Sequence, residues 1–103
     1  VIISIDYDDT FTRDKILWAE FIKSAIARGH TVICVTARCE EYDGSEVVDD
    51  LGHLIDIYFT CGKPKQKFMF DKGICVQVWI DDCPEAIVPR QMLNTWGERI
   101  NYD

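Results

Sequence analysis

Residues 1–12, VIISIDYDDTFT, run from an apolar stretch straight into Asp6, Asp8 and Asp9, followed by Thr10. Val1 to Ile5 reads as a strand buried on both faces of a parallel sheet. In open α/β sheets, ligands collect just beyond the carboxyl ends of such strands. Three carboxylates crowded at one strand end repel one another, so the pattern calls for a compensating cation. Mg²⁺ suits the position, because it is a hard ion that takes oxygen ligands and commonly meets phosphate.

Three more apolar runs follow, at Thr31 to Val35, Leu54 to Phe59 and Val76 to Ile80, with helical patterns between them. Asp14 is placed to cap a helix whose apolar face carries Ile16, Leu17, Ala19, Phe21, Ile22, Ala25 and Ile26, with Gly29 as its stop. A short helix from Ser45 through Val47, Val48 and Leu51 is expected next. Pro64 suits the first position of a helix reaching about Lys72, closed by Gly73, and Pro84 opens another. This β-α-β repetition implies parallel strands joined by right-handed crossovers. The expected fold is therefore α/β, a minimal Rossmann-like doubly wound sheet of about four strands in the order 3-2-1-4, flanked by helices. Residues 1–103 read as one domain.

The chain has 103 residues, a net charge of −7 and 48% hydrophobic residues. The negative balance argues against a general nucleic-acid binder, whose affinity comes from neutralising phosphates. It leaves open a small phosphorylated substrate held by a metal and a few local cations. No stretch approaches a membrane span and nothing resembles a signal peptide, so a soluble, cytoplasmic protein is expected. Cys34, Cys39, Cys61, Cys75 and Cys83 lack paired spacing, which points to reduced thiols, with Cys34 and Cys75 as small core residues. Trp79 and Trp18 read as packing residues, while Trp96 lies in a polar tail, Asn94 to Asp103, that is too polar for a fifth strand.

Three of the strands end in reactive-looking groups: Asp6 and Asp8 after the first, Thr36 and Arg38 after the second, Asp81 and Asp82 after the fourth. Lys63, Lys65 and Lys67 precede the fourth strand. In this order, with a DxDxT signature at Asp6–Thr10, the chain resembles the haloacid dehalogenase superfamily of phosphohydrolases over about residues 1 to 90. The resemblance implies a Mg²⁺-dependent phosphomonoester hydrolase in which Asp6 attacks phosphorus to form an aspartyl-phosphate. Asp8 would then be general acid and later base, its pKa raised by the neighbouring acids. Asp6 and the carbonyl of Asp8 would ligate Mg²⁺, with Asp82 the direct metal ligand and Asp81 its outer partner. Thr36 would hydrogen-bond the phosphoryl oxygens, and Lys65 or Lys63 would offset charge, with Lys65 preferred. Thr10 would brace the loop, and Arg38 resembles a substrate-facing Arg of nucleotide and polynucleotide phosphatases.

The connections from Asp8 to Asp14 and from Phe59 to Lys63 leave no room for the cap domain that many such enzymes insert there. The resemblance is thus to a capless member with an open site, acting on a nucleotide, a nucleic-acid end or another phosphorylated substrate, and able to form a homo-oligomer that covers it. Two other readings compete. A catalytically silent module would bind Mg²⁺ and a phosphorylated ligand without turnover. A receiver-like phosphoacceptor domain would place its acid pair first and its phosphorylated Asp on the third strand, whereas here the third strand ends in Tyr58, Phe59 and Thr60.

Overall fold

The computed structural model describes residues 1–89. The expectations for Trp96 and for the segment Asn94 to Asp103 lie outside them. Four strands, β1 (Ile2–Ile5), β2 (Thr31–Thr36), β3 (Asp56–Phe59) and β4 (Val78–Ile80), form one sheet in the order β3-β2-β1-β4. Every pairing is parallel, with Ile5 opposite Cys34 on one side and Ile80 on the other. The doubly wound α/β expectation is met in both class and strand order.

Alternation along each strand divides the core. Ile3, Ile5, Val32 and Cys34 face one layer, where Ile22 and Ala25 of α1 (Lys15–Ala27) and Val47 and Leu51 of α3 (Ser45–Leu51) pack against them. Ile33 and Val35 face the other, against Met69 of α4 (Lys65–Asp71) and the half-buried Phe68 and Trp79. Burying side chains such as Ile5, Ile22 and Leu51 completely contributes roughly 1.5–3 kcal/mol each. Both halves of the double winding are therefore anchored on β1 and β2.

Local signals act largely as read. The Asp14 carboxylate accepts from the Leu17 N–H at 3.0 Å and starts α1, and Gly29, at φ 91°, turns the chain out of it. Pro84 opens α5 (Pro84–Ile87) at its first turn. Pro64 departs from expectation: at ψ 127° it precedes α4 as its cap rather than forming its first residue. Two short elements carry too little periodicity to be read, a 3₁₀ turn at Phe11–Arg13 and α2 (Glu40–Asp43). Gly44 separates α2 from α3, and a Cβ there would come within 2.9 Å of the Phe59 ring.

The cysteine expectations need two corrections. Cys34 is fully buried as read, but Cys75 is exposed, because β4 begins only at Val78 and Cys75 falls in the preceding connection. Cys39 and Cys61 form a disulfide. They are 22 residues apart, and adjacency of β2 and β3 brings the loops after those strands together, a proximity that local spacing cannot reveal. Reduced thiols therefore no longer support a cytoplasmic location. Among the described residues no helix is long and apolar enough to cross a membrane.

Candidate active site

The sheet order reverses between β1 and β4, and the crevice at their carboxyl ends is where an open α/β sheet binds ligands. The chain delivers Asp6 there from β1, and Asp81 and Asp82 from β4. Carboxylate oxygens of the three lie within 4.8 Å of one another. Lys65, at the start of α4, reaches in from the next layer. Its ammonium donates to Asp6 Oδ1 at 2.8 Å and to Asp81 Oδ2 at 2.6 Å, and the side chain is only 2% exposed. The Thr10 hydroxyl bridges Asp6 Oδ2 at 3.4 Å and Asp82 Oδ1 at 3.3 Å, so it braces the two strand ends.

Charge in this cluster is finely balanced. Burial disfavours the ionised form of Asp6 and outweighs the opposing pull of Lys65, pushing its pKa up to about 6. Burial also acts against the Lys65 ammonium, but its bonds to Asp6 and Asp81 prevail and hold it cationic. The two oxygens of Asp81 are already engaged, Oδ2 by Lys65 and Oδ1 by the N–H of Cys83 at 2.9 Å. Among the described residues, Asp82 receives only the Thr10 hydroxyl. The set suits a hard divalent cation: three clustered carboxylates share one ammonium, with Asp82 freest to ligate, Asp6 held by Lys65 on Oδ1 and more loosely by the Thr10 hydroxyl on Oδ2, and Asp81 tied into support.

A second group adjoins the first. Arg38, just beyond β2, grips Asp8 in bidentate fashion, Nε to Oδ2 at 2.9 Å and Nη2 to Oδ1 at 2.8 Å. Its Nη1 donates to the Asp43 carbonyl at 2.8 Å and to Glu46 at 3.3 Å, and the guanidinium lies over the Tyr7 ring, 5.1 Å from its centre. Asp8 is therefore held below the usual carboxylate range, chiefly by its hydrogen bonds to Arg38. This corrects the expectation of a raised pKa: the adjoining guanidinium prevails over the neighbouring acids.

Of the two lysine candidates, Lys65 joins the carboxylates. Lys63 is exposed, makes no ion pair among the described residues, and lines a groove along α4 with Lys67, Phe68 and Lys72. Thr36 is completely buried at the end of β2, where its hydroxyl accepts from the Arg38 N–H at 3.3 Å. Asp6, Asp8, Lys65, Asp81 and Asp82 all line one cleft of about 200 Å³. Asp9 stays outside the carboxylate cluster, at φ 61° and paired with Arg13.

Sequence reasoning missed Tyr7, whose ring is 2% exposed and whose hydroxyl donates to Asp50 at 2.7 Å. Its position between Asp6 and Asp8 was the available signal, since alternation sends it to the core side. Glu46 and the Asp43 carbonyl, which hold Arg38, come from α3 and α2 and left no local trace. No family model, curated protein or solved structure matches the chain.

Proposed function

We propose that this chain is a Mg²⁺-dependent phosphomonoester hydrolase that works through an aspartyl-phosphate on Asp6. The observation that carries the reading is the clasp of Asp6 and Asp81 by the buried Lys65 ammonium, beside Asp82, at the carboxyl edge of β1 and β4. A buried lysine with two carboxylates could be purely structural. Placement at the switch point, with Asp8 two residues beyond Asp6 in the same cleft, favours chemistry.

In this reading Asp6 is the nucleophile. With its pKa at about 6 it is mostly ionised at neutral pH, and Lys65 on Oδ1 fixes its orientation. Its carboxylate oxygen bonds to phosphorus as the ester oxygen leaves, and water then cleaves the acyl phosphate. Bound Mg²⁺, held by Asp6, Asp82 and the Asp8 carbonyl with Asp81 in support, would neutralise phosphoryl charge. Lys65 adds a fixed positive charge beside the attacking group, while Thr36, fully buried at the end of β2, supports the Arg38 backbone through its hydroxyl instead of lining the cleft.

Asp8 must carry a proton to the leaving oxygen, yet Arg38 holds it ionised in the free protein. The two facts agree if an incoming phosphate takes Arg38 from Asp8, since a guanidinium fork fits phosphate as well as carboxylate. The short connections Asp6–Asp14 and Thr60–Pro64 leave the cleft open, which favours nucleotides or nucleic-acid ends over substrates that need a lid.

The test is phosphate release from p-nitrophenyl phosphate, nucleoside monophosphates and a 3′-phosphorylated oligonucleotide, with Mg²⁺ or EDTA. Mg²⁺-dependent release that ranks the three is expected. Binding of Mg²⁺ and phosphate with no release from any would replace the hydrolase with the silent binding module.

A further inference from the structure

The bridge between Cys39 and Cys61 lies between the two arms that furnish the site's cations. Cys39 directly follows Arg38, and Cys61 stands four residues before Lys65. Around it the two loops are stitched by backbone bonds, Cys61 N–H to the Arg38 carbonyl at 3.2 Å and Gly62 N–H to the Ala37 carbonyl at 2.9 Å. Cys61 holds a left-handed backbone at φ 53°, unusual for a residue with a side chain. On the other side, the Cys39 N–H donates to the Asp43 carboxylate at 2.8 Å, and the Asp43 carbonyl accepts from Arg38. The bridge thus secures both the backbone of Arg38 and one of the acceptors that aims its guanidinium.

We propose that the Cys39–Cys61 disulfide is a redox-sensitive positioning element for Arg38, setting how firmly the cleft holds a substrate phosphate. In the oxidised chain the loop after β2 is tethered to the loop after β3, and Arg38 stays poised beside Asp8. A dithiol reductant opens the bridge by exchange: the S–S bond breaks, two electrons and two protons give thiols on Cys39 and Cys61, and the reductant leaves as its own disulfide. The turn Glu40–Asp43 then keeps only its backbone and Asp43 bonds, and Arg38 is less well aimed. Neither cysteine touches substrate, so the effect falls on binding rather than on the chemical step.

The inference rests on the hydrolase reading for its kinetic readout, and a second readout makes it independent. Thiol titration in denaturant should find three thiols in the oxidised chain, those of Cys34, Cys75 and Cys83, and five after dithiothreitol. With p-nitrophenyl phosphate and Mg²⁺, reduction should raise KM by about tenfold and move kcat by less than about twofold. The Cys39→Ser/Cys61→Ser double variant should match the reduced parent in either buffer. Arg38→Met should give one high KM in both redox states, which a general loosening of the fold would not produce. Amide exchange over Arg38–Asp43 should quicken on reduction even if no substrate is turned over. Five thiols before reduction, or the same KM and exchange in both states, would overturn the proposal.

Discussion

Replacing Lys65 with Met removes a buried ammonium of similar length and leaves Asp6 and Asp81 without their shared counter-charge. Their side chains are only 9% and 3% exposed, so water cannot take over the lost bonds. Stripping one partner from a buried ionic cluster costs about 3–5 kcal/mol. A domain of this size has about 5–15 kcal/mol in all, and loses roughly 4–8 °C of Tm per kcal/mol. The cost must also depend on pH. Asp6 already has a folded-state pKa of about 6 against 3.8 for a free aspartate side chain, and without Lys65 it rises further. A raised carboxyl pKa favours the fold below the unfolded value and is lost as pH rises through the folded one. The deficit should therefore be largest above pH 6 and shrink towards pH 4, where Asp6 takes up its proton. Urea unfolding followed by circular dichroism, in EDTA from pH 4 to 8, measures it against the parent. Adding Asp81→Asn to Lys65→Met should recover a substantial part of the loss at pH 7. A deficit below about 1 kcal/mol, or one that is flat with pH, would refute the buried clasp.

Other consequences follow from the same geometry. In the metal-free parent, the raised Asp6 pKa costs up to about 3 kcal/mol as pH climbs from about 4 to 6, since one pKa unit is worth about 1.4 kcal/mol; Mg²⁺ should raise Tm more at pH 7.5 than at pH 5, and an equal shift at both would contradict this. Asp82→Asn should weaken Mg²⁺ binding by calorimetry more than Asp8→Asn does, and the reverse order would reassign the ligands. Asp8→Asn should slow turnover strongly for alkyl phosphates and least for p-nitrophenyl phosphate, whose leaving group needs no proton; equal losses would remove its acid role. Thr60 Oγ1 is buried without a hydrogen-bond partner among the described residues, so Thr60→Val should raise stability by about 1 kcal/mol in thermal unfolding, and a loss would show that the hydroxyl is satisfied.

The parallel sheet, its order and the carboxylates were legible because each is written locally. Apolar runs separated by capped helices define the winding, and the winding alone takes Asp6, Asp81 and Asp82 to the same edge. Lys65 could be preferred over Lys63 in the sequence, but its burial depends on how α4 meets β1 and β4, which no spacing encodes. What stayed hidden is what depends on neighbours distant in sequence. The Cys39–Cys61 pair needs β2 and β3 side by side, and the grip on Arg38 draws on α2 and α3. The sign of the Asp8 shift was misread for the same reason: the acids adjoin it in sequence, while its guanidinium partner lies 30 residues away.

The proposed acceptor of the phosphoryl group is Asp6. Acid quenching during turnover of p-nitrophenyl phosphate with Mg²⁺, followed by borohydride reduction, converts an aspartyl-phosphate to homoserine, and peptide mass spectrometry locates it. Homoserine at position 6, lost in Asp6→Asn together with phosphate release, is the predicted result. Sustained release with no homoserine at that position, or unimpaired release by Asp6→Asn, would contradict it.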